Sequence, residues 1–79
     1  MKEKITMPKL SDRMEKGVLV AWDKNVGDEV KKGEVLFEVE TNKVVNEIEA
    51  PCDGVITDVY FEEGDAVEVG KTIAEYEVK

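Results

Sequence analysis

Apolar and polar residues alternate in short runs along most of the chain. The runs are rich in Val and Ile and are separated by turn residues, mainly Gly, Asn and Asp, which is typical of strands that bury one face. In the run that begins at Gly17, for example, Val18, Val20 and Trp22 share one face and Leu19 and Ala21 the other. The predicted strands cover 3–7, 17–22, 29–30, 35–40, 44–49, 54–60, 66–67 and 72–78.

The second half of the chain repeats the first at a fixed offset of 37 residues. Self-similarity at one offset indicates a duplicated structural unit. We therefore predict that residues 1–79 form one all-β domain, a flattened barrel or sandwich of seven or eight short strands in two antiparallel sheets with approximate two-fold symmetry. Eight identities align without a gap, with Gly17, Val18, Gly27, Asp28, Val30, Gly33, Glu38 and Glu40 falling on Gly54, Val55, Gly64, Asp65, Val67, Gly70, Glu75 and Glu77.

The two central runs, 35–40 and 44–49, are separated only by Thr41, Asn42 and Lys43, which predicts a tight hairpin with a polar tip. Asn42 suits a turn because Asn tolerates unusual backbone dihedrals, and this leaves Lys43 at the apex. The second half has no equivalent tip, so we expect Lys43 at one end of the molecule and both termini at the other. One interpretation of Lys43 is a solubilising surface residue, one of eleven Lys and Arg. The other is an amine that two strands present rigidly to solvent.

The first half also contains six extra residues, because Pro8 matches Pro51 only at an offset of 43. They fall within a polar segment that we interpret as a surface loop, and an insertion that the fold does not need favours a functional role. The segment consists of Leu10, Ser11, Asp12, Arg13, Met14, Glu15 and Lys16.

Composition excludes several classes of function. The net charge of −8 argues against nucleic acid or an anionic membrane as partner, and no apolar run approaches the ~18 residues of a membrane span. A single cysteine and no histidine rule out an internal disulfide, a zinc cluster of nitrogen and sulfur ligands, and any catalytic pair with histidine. The first residues lack signal-peptide features. We expect a non-catalytic carrier in the cytoplasm, or in the mitochondrial matrix if the protein is processed.

Several motifs in the chain match those of a known family. They are Met7-Pro8-Lys9-Leu10-Ser11, Gly17, Trp22, Gly27-Asp28, Glu38-x-Glu40-Thr41-Asn42-Lys43, Glu49-Ala50-Pro51 and Asp53-Gly54. In this ordered set the chain resembles, over essentially its whole length, the lipoyl domains of 2-oxo acid dehydrogenase acyltransferases (E2 components).

The resemblance implies the β-barrel "hammerhead" fold and lipoic acid in amide linkage on Lys43. It implies a swinging acyl carrier that serves the thiamin-diphosphate-dependent decarboxylase (E1), the acyltransferase core of E2 and the dihydrolipoamide dehydrogenase (E3). A lipoate ligase or lipoyl transferase would recognise the tip, in which Glu40, Thr41, Asn42 and Val44 flank the lysine. The loop from Leu10 to Lys16 matches the one that helps E1 recognise its own domain.

The tip differs from the usual family pattern, which has Asp before the lysine. Asn42 keeps the turn preference but removes a charge. Related biotinyl carriers share the scaffold and typically have methionines on both sides of the lysine, a pattern that Asn42 and Val44 do not fit. An unmodified structural barrel is the other alternative. We expect a domain that is monomeric in isolation and forms the N-terminal part of a larger E2.

Overall fold

The computed structural model describes residues 1–79 and contains eight strands and no helix, so no helical segment could span a bilayer. The strands form two four-stranded antiparallel sheets. The terminal sheet has the order β1-β8-β6-β3, and the hairpin sheet the order β5-β4-β2-β7. The predicted fold class is confirmed. The strands are β1 (Lys2–Thr6), β2 (Lys16–Trp22), β3 (Glu29–Val30), β4 (Val35–Thr41), β5 (Val44–Glu49), β6 (Gly54–Val59), β7 (Ala66–Glu68) and β8 (Thr72–Val78).

The two sheets are built alike, as the sequence repeat predicts. The β2–β4 ladder shifts register between Leu19 and Ala21, and the β6–β8 ladder shifts between Ile56 and Asp58, which are the same positions at the offset of 37. Each shift is a β-bulge, in which one strand carries an extra residue and bends. The duplicated halves therefore share their irregularities as well as their strands.

Glycine turns join the two sheets reciprocally. Gly27 and Gly64 have φ values of 94° and 98°, a region that glycine enters without a Cβ clash. The Gly27 N–H donates to the carbonyl of Ile56 at 2.8 Å, and the Gly64 N–H donates to that of Leu19 at 2.6 Å. Each turn thus bonds to the strand of the opposite half, which fixes the sheets against each other.

The core lies between the sheets and draws on both halves. Its buried residues are all apolar apart from the hydroxyl end of Tyr76, and no buried side-chain polar atom lacks a partner. A small domain without disulfide or metal depends on such packing for its stability. The buried cluster consists of Ile5, Met7, Met14, Leu19, Val30, Leu36, Phe37, Val39, Ala50, Ile56, Val67, Ile73, Ala74 and Tyr76.

The bulge in β2 changes the direction of Trp22. The alternation predicted that Val20 and Trp22 share a face, and this was wrong, because the extra residue reverses the facing of the strand beyond Val20. Val20 is exposed, whereas Trp22 is half-buried with its ring centroid 5.1 Å from that of Phe37. The Trp22 Nε1–H donates to the carbonyl of Phe61 at 3.0 Å, so the ring also ties the two halves together.

Both chain termini lie at the end of the molecule opposite the hairpin tip, as expected. The Met1 amino group pairs with Glu77 Oε1 at 2.6 Å. The Lys79 N–H donates to the carbonyl of Asp53, and the Asp53 carboxylate accepts from the N–H of Lys32 at 2.8 Å. Since Lys32 precedes the start of β4 and the tip follows its end, the molecule places about its full 34 Å length between termini and tip.

Candidate functional site: the hairpin tip

A two-residue turn forms the tip of the β4–β5 hairpin. Thr41 and Val44 pair across the hairpin, which leaves Asn42 and Lys43 as the connection. Their φ values, 49° and 65°, are both positive, as in the type I′ turn that matches the twist of a two-residue hairpin. The sequence predicted a three-residue connection, and that boundary was wrong because Thr41 continues the ladder.

Lys43 occupies a position in this turn where glycine is preferred. Asn42 is a favoured first residue, and Asn-Gly is the common sequence for such a turn. A side chain with left-handed φ costs about 1–2 kcal/mol, because Cβ approaches the carbonyl oxygen that follows it. Backbone strain of this kind is found mainly at functional sites. The turn therefore holds a lysine at a conformational cost, which favours a functional role over a solubilising one.

The Lys43 amine is exposed and has no partner. Its Nζ takes part in none of the four ion pairs and in no side-chain hydrogen bond of the structure. Glu40 is also exposed but lies on β4, opposite Val45 of β5. A free primary amine on a rigid turn can form an amide with the carboxyl group of a cofactor. The tip therefore fits a carboxyl-bearing prosthetic group such as lipoic acid.

The loop between β1 and β2 lies beside this tip. Arg13, Met14, Glu15 and Lys16 line one side of a depression of about 300 Å³, and the hairpin lines the other with Thr41 and Asn42. The structure thus brings four residues of the predicted loop next to the turn. Lys16 is the first residue of β2, so the loop ends one residue earlier than the segment drawn from the sequence.

Met14 anchors the loop and does not present its side chain to solvent. It is only 8% exposed, and its N–H donates to the carbonyl of Ser11 at 3.1 Å in a tight turn. Its sulfur lies 3.2 Å from the N–H of Leu10. Leu10, Ser11 and Asp12 are exposed but lie outside the depression. The sequence analysis missed this anchoring role, although a lone methionine in a polar loop was a usable signal for it.

Apolar surface is exposed on the β5 side of the tip. Val44 is 57% exposed and Val45 is 50% exposed, directly after Lys43. Valines on an exposed strand next to a free amine favour contact with another macromolecule, since a solvated hairpin has no need of them. The tip thus combines a free amine, an apolar flank and an adjacent anchored loop.

This fold, with a single lysine on its two-residue tip, defines the class of biotinyl and lipoyl carrier domains. The family model Biotin_lipoyl, described as "Biotin-requiring enzyme", matches residues 3–76. The chain belongs to this family. It is similar to the lipoyl domain of the 2-oxoglutarate dehydrogenase complex from Azotobacter vinelandii, with a TM-score of 0.80, 34% sequence identity and 94% of each chain covered. Within the family it is therefore a lipoyl domain.

Two curated relatives are multi-domain transferase components. The chain is 41% identical over 75 residues to the dihydrolipoyllysine-residue succinyltransferase component of the 2-oxoglutarate dehydrogenase complex of Rickettsia conorii, covering 95% of the chain and 19% of the relative. It is 41% identical over 73 residues to the dihydrolipoyllysine-residue acetyltransferase component of the acetoin cleaving system of Bacillus subtilis, covering 92% and 18%. The chain spans about a fifth of the length of these relatives.

Proposed function

We propose that this domain carries lipoic acid in amide linkage on Lys43 and serves as the acyl carrier of an E2 component in a 2-oxo acid dehydrogenase complex, of which pyruvate dehydrogenase is one example. The observation that supports this most is the exposed, unpaired Lys43 in a strained two-residue turn. When attached, the lipoyl group supplies a dithiolane disulfide that takes up an acyl group at E1, delivers it to coenzyme A at the E2 core and is reoxidised at E3.

The protein contributes position and access. The Thr41–Val44 pair closes the hairpin, so the Lys43 amine is held in one pose at the end of the molecule. The termini lie at the opposite end, so a linker attached there leaves the tip unobstructed. A flexible linker raises the effective concentration of the carrier at successive active sites to the millimolar range. Amide formation on Lys43 removes one positive charge, which takes the net charge from −8 to −9.

Two sets of residues near the tip would recognise different partners. The attaching enzyme, a lipoate ligase or lipoyl transferase, would read Glu40, Thr41, Asn42 and Val44. E1 would read the exposed part of the neighbouring loop, whose position Met14 fixes from below. We further propose that the isolated domain is monomeric and that the protein works in the cytoplasm of a bacterium or archaeon, or in the mitochondrial matrix of a eukaryote.

Ligase treatment followed by intact-protein mass spectrometry tests this proposal. The domain is incubated with lipoate, ATP and a lipoate ligase, and separately with biotin, ATP and a biotin ligase. We expect one lipoyl group on the wild type and on the control variant Lys71→Gln, which alters another exposed lysine, and none on Lys43→Gln. Addition of biotin in place of lipoate would indicate a biotinyl carrier, and a protein that neither ligase modifies would be a structural barrel.

A further inference from the structure

The outer surfaces of the two sheets differ in charge although their backbones match. On the terminal sheet, oppositely charged residues face each other, with Lys4 opposite Glu75 and Lys2 opposite Glu77. Such cross-strand pairs stabilise a sheet. Lys2 also pairs with the Asp58 carboxylate at 2.8 Å. This surface is therefore balanced within the domain.

The equivalent positions of the hairpin sheet carry like charges or apolar groups. Glu47 lies opposite Glu38, and Val45 lies opposite Glu40. Like charges that face each other directly are destabilising. None of these carboxylates takes part in any of the four ion pairs. The fold therefore retains an unbalanced negative surface on the sheet that bears Lys43.

A third carboxylate increases this imbalance. The Asp23 carboxyl is hydrogen-bonded to Glu38 and, together with repulsion from Asp23 and Glu47, raises the pKa of Glu38. At the offset of 37, Tyr60 takes the place of Asp23, and its hydroxyl donates to Glu75. The terminal sheet thus has a neutral donor where the hairpin sheet has a third acid.

Exposed valines accompany the acids. Val45 is 50% exposed and Val20 is 37% exposed. Their counterparts on the terminal sheet are Lys2 and Thr57, both of which make side-chain hydrogen bonds. We name this surface the hairpin face. It consists of Val20, Asp23, Glu38, Glu40, Val45 and Glu47.

We propose that the hairpin face is the docking surface for the enzyme that attaches lipoate to Lys43, and that this enzyme presents a basic surface with an apolar contact beside its active site. The inference rests on the proposed function. Charge complementarity gives the chemistry of the partner, since unpaired carboxylates steer and orient a cationic surface. The Glu40–Val45 pair is one step from the Thr41–Val44 pair that closes the tip, so docking here brings Lys43 to the partner.

The attaching enzyme fits this surface because it must choose one lysine by its surroundings. Of the eleven basic residues, one is Arg13, which leaves ten lysines. Before modification Lys43 carries no cargo, so only the protein around it can identify it. The hairpin face distinguishes Lys43 from the other lysines, whereas on the terminal sheet Lys2 and Lys4 lie among balanced pairs.

The charge contribution is tested by the initial rate of lipoylation as the domain concentration is varied. We expect Glu38→Gln combined with Glu47→Gln to raise KM about three- to tenfold, to leave kcat unchanged and to flatten the dependence of the rate on salt. The control is Glu3→Gln combined with Glu62→Gln, which removes the same charge from two exposed residues outside the face, and its KM should stay within about twofold. An equal rise in both double variants, or none in either, would overturn the proposal.

The apolar contribution has its own matched pair. Val45→Thr should raise KM, whereas Val26→Thr, at a valine that is 54% exposed elsewhere on the surface, should not. Equal KM values in these two variants would overturn the apolar part of the proposal. Failure of the wild type to accept lipoate at all would contradict the proposed function itself. Full lipoylation with an unchanged KM in the charge variant would overturn the docking surface alone.

Discussion

Met14 packs directly over Gly17, because a Cβ on Gly17 would lie only 3.1 Å from the Met14 methyl carbon. The loop beside the tip is therefore seated on the first residues of β2, where the lack of a side chain lets it approach. The same Cβ would lie 2.6 Å from Cγ1 of Val39 in the core. Gly17 thus couples the position of the loop to the packing of the hairpin sheet.

Gly17→Ala should destabilise the domain by about 1–3 kcal/mol, because its Cβ forces Val39 and Met14 to move. Urea unfolding followed by Trp22 fluorescence measures this. Glu15→Ala, at an exposed loop residue, serves as the control and should change stability by less than about 0.5 kcal/mol. An unchanged midpoint in the glycine variant would show that the loop and Val39 adjust freely.

Lys43→Gly should stabilise the fold by about 0.5–1 kcal/mol, because glycine relieves the strain of a positive φ and loses part of the gain to its flexible unfolded state. Lys43→Ala removes the same amine but keeps the Cβ, so its stability should match the wild type within a few tenths of a kcal/mol. Thermal unfolding of the three proteins measures the difference. Identical melting temperatures for the glycine and alanine variants would mean that the turn is unstrained.

Glu38→Gln should raise the melting temperature at pH 7 and leave it unchanged at pH 3. Repulsion from Asp23 and Glu47 raises the pKa of Glu38 above its ordinary 4.5, so the folded state binds this proton more tightly than the unfolded state. The contribution of Glu38 to stability is favourable below pH 4.5 and is lost as the pH rises through its folded pKa. A glutamine variant that is less stable at neutral pH would show that the carboxylate has a stabilising partner.

Tyr76→Phe should weaken the loss of stability at alkaline pH. Burial, followed by the hydrogen bond with Cys52 at 3.0 Å, raises the pKa of Tyr76 from 10 to about 12. The stability that Tyr76 contributes is fully present below pH 10 and is lost as the pH rises towards 12. We expect a smaller drop in melting temperature between pH 8 and pH 11 in the variant. Equal drops in both proteins would mean that the hydroxyl ionises as readily in the folded state.

The architecture could be predicted because the repeat and the alternation agree. The glycine and strand positions that recur at the offset of 37 define both halves, and the structure confirms the two sheets and the hairpin. The bulge at Val20 could not be predicted from alternation. It depends on how β2 must bend to contact both β4 and β7, which is a tertiary effect. The facing of Trp22 was wrong for this reason.

The site could be predicted in part. The position of Lys43 at the apex follows from the strands on either side of it, and the structure confirms that the residue lies there. The strain at Lys43 depends on the length of the turn, which Thr41 decides by joining the strand. The hairpin face depends on register, since Glu38 and Glu47 are nine positions apart in the sequence and become opposed only when the ladder is known.

The central claim is that the attaching enzyme recognises the lysine by its place in the turn. The most direct test moves this lysine by one residue, with Asn42→Lys and Lys43→Asn in the same protein, and compares lipoylation by peptide mass spectrometry. We predict complete modification of the wild type at Lys43 alone, and little or none of the exchanged variant although its composition is identical. Equal lipoylation of both proteins, or modification of a lysine outside the tip, would contradict the account.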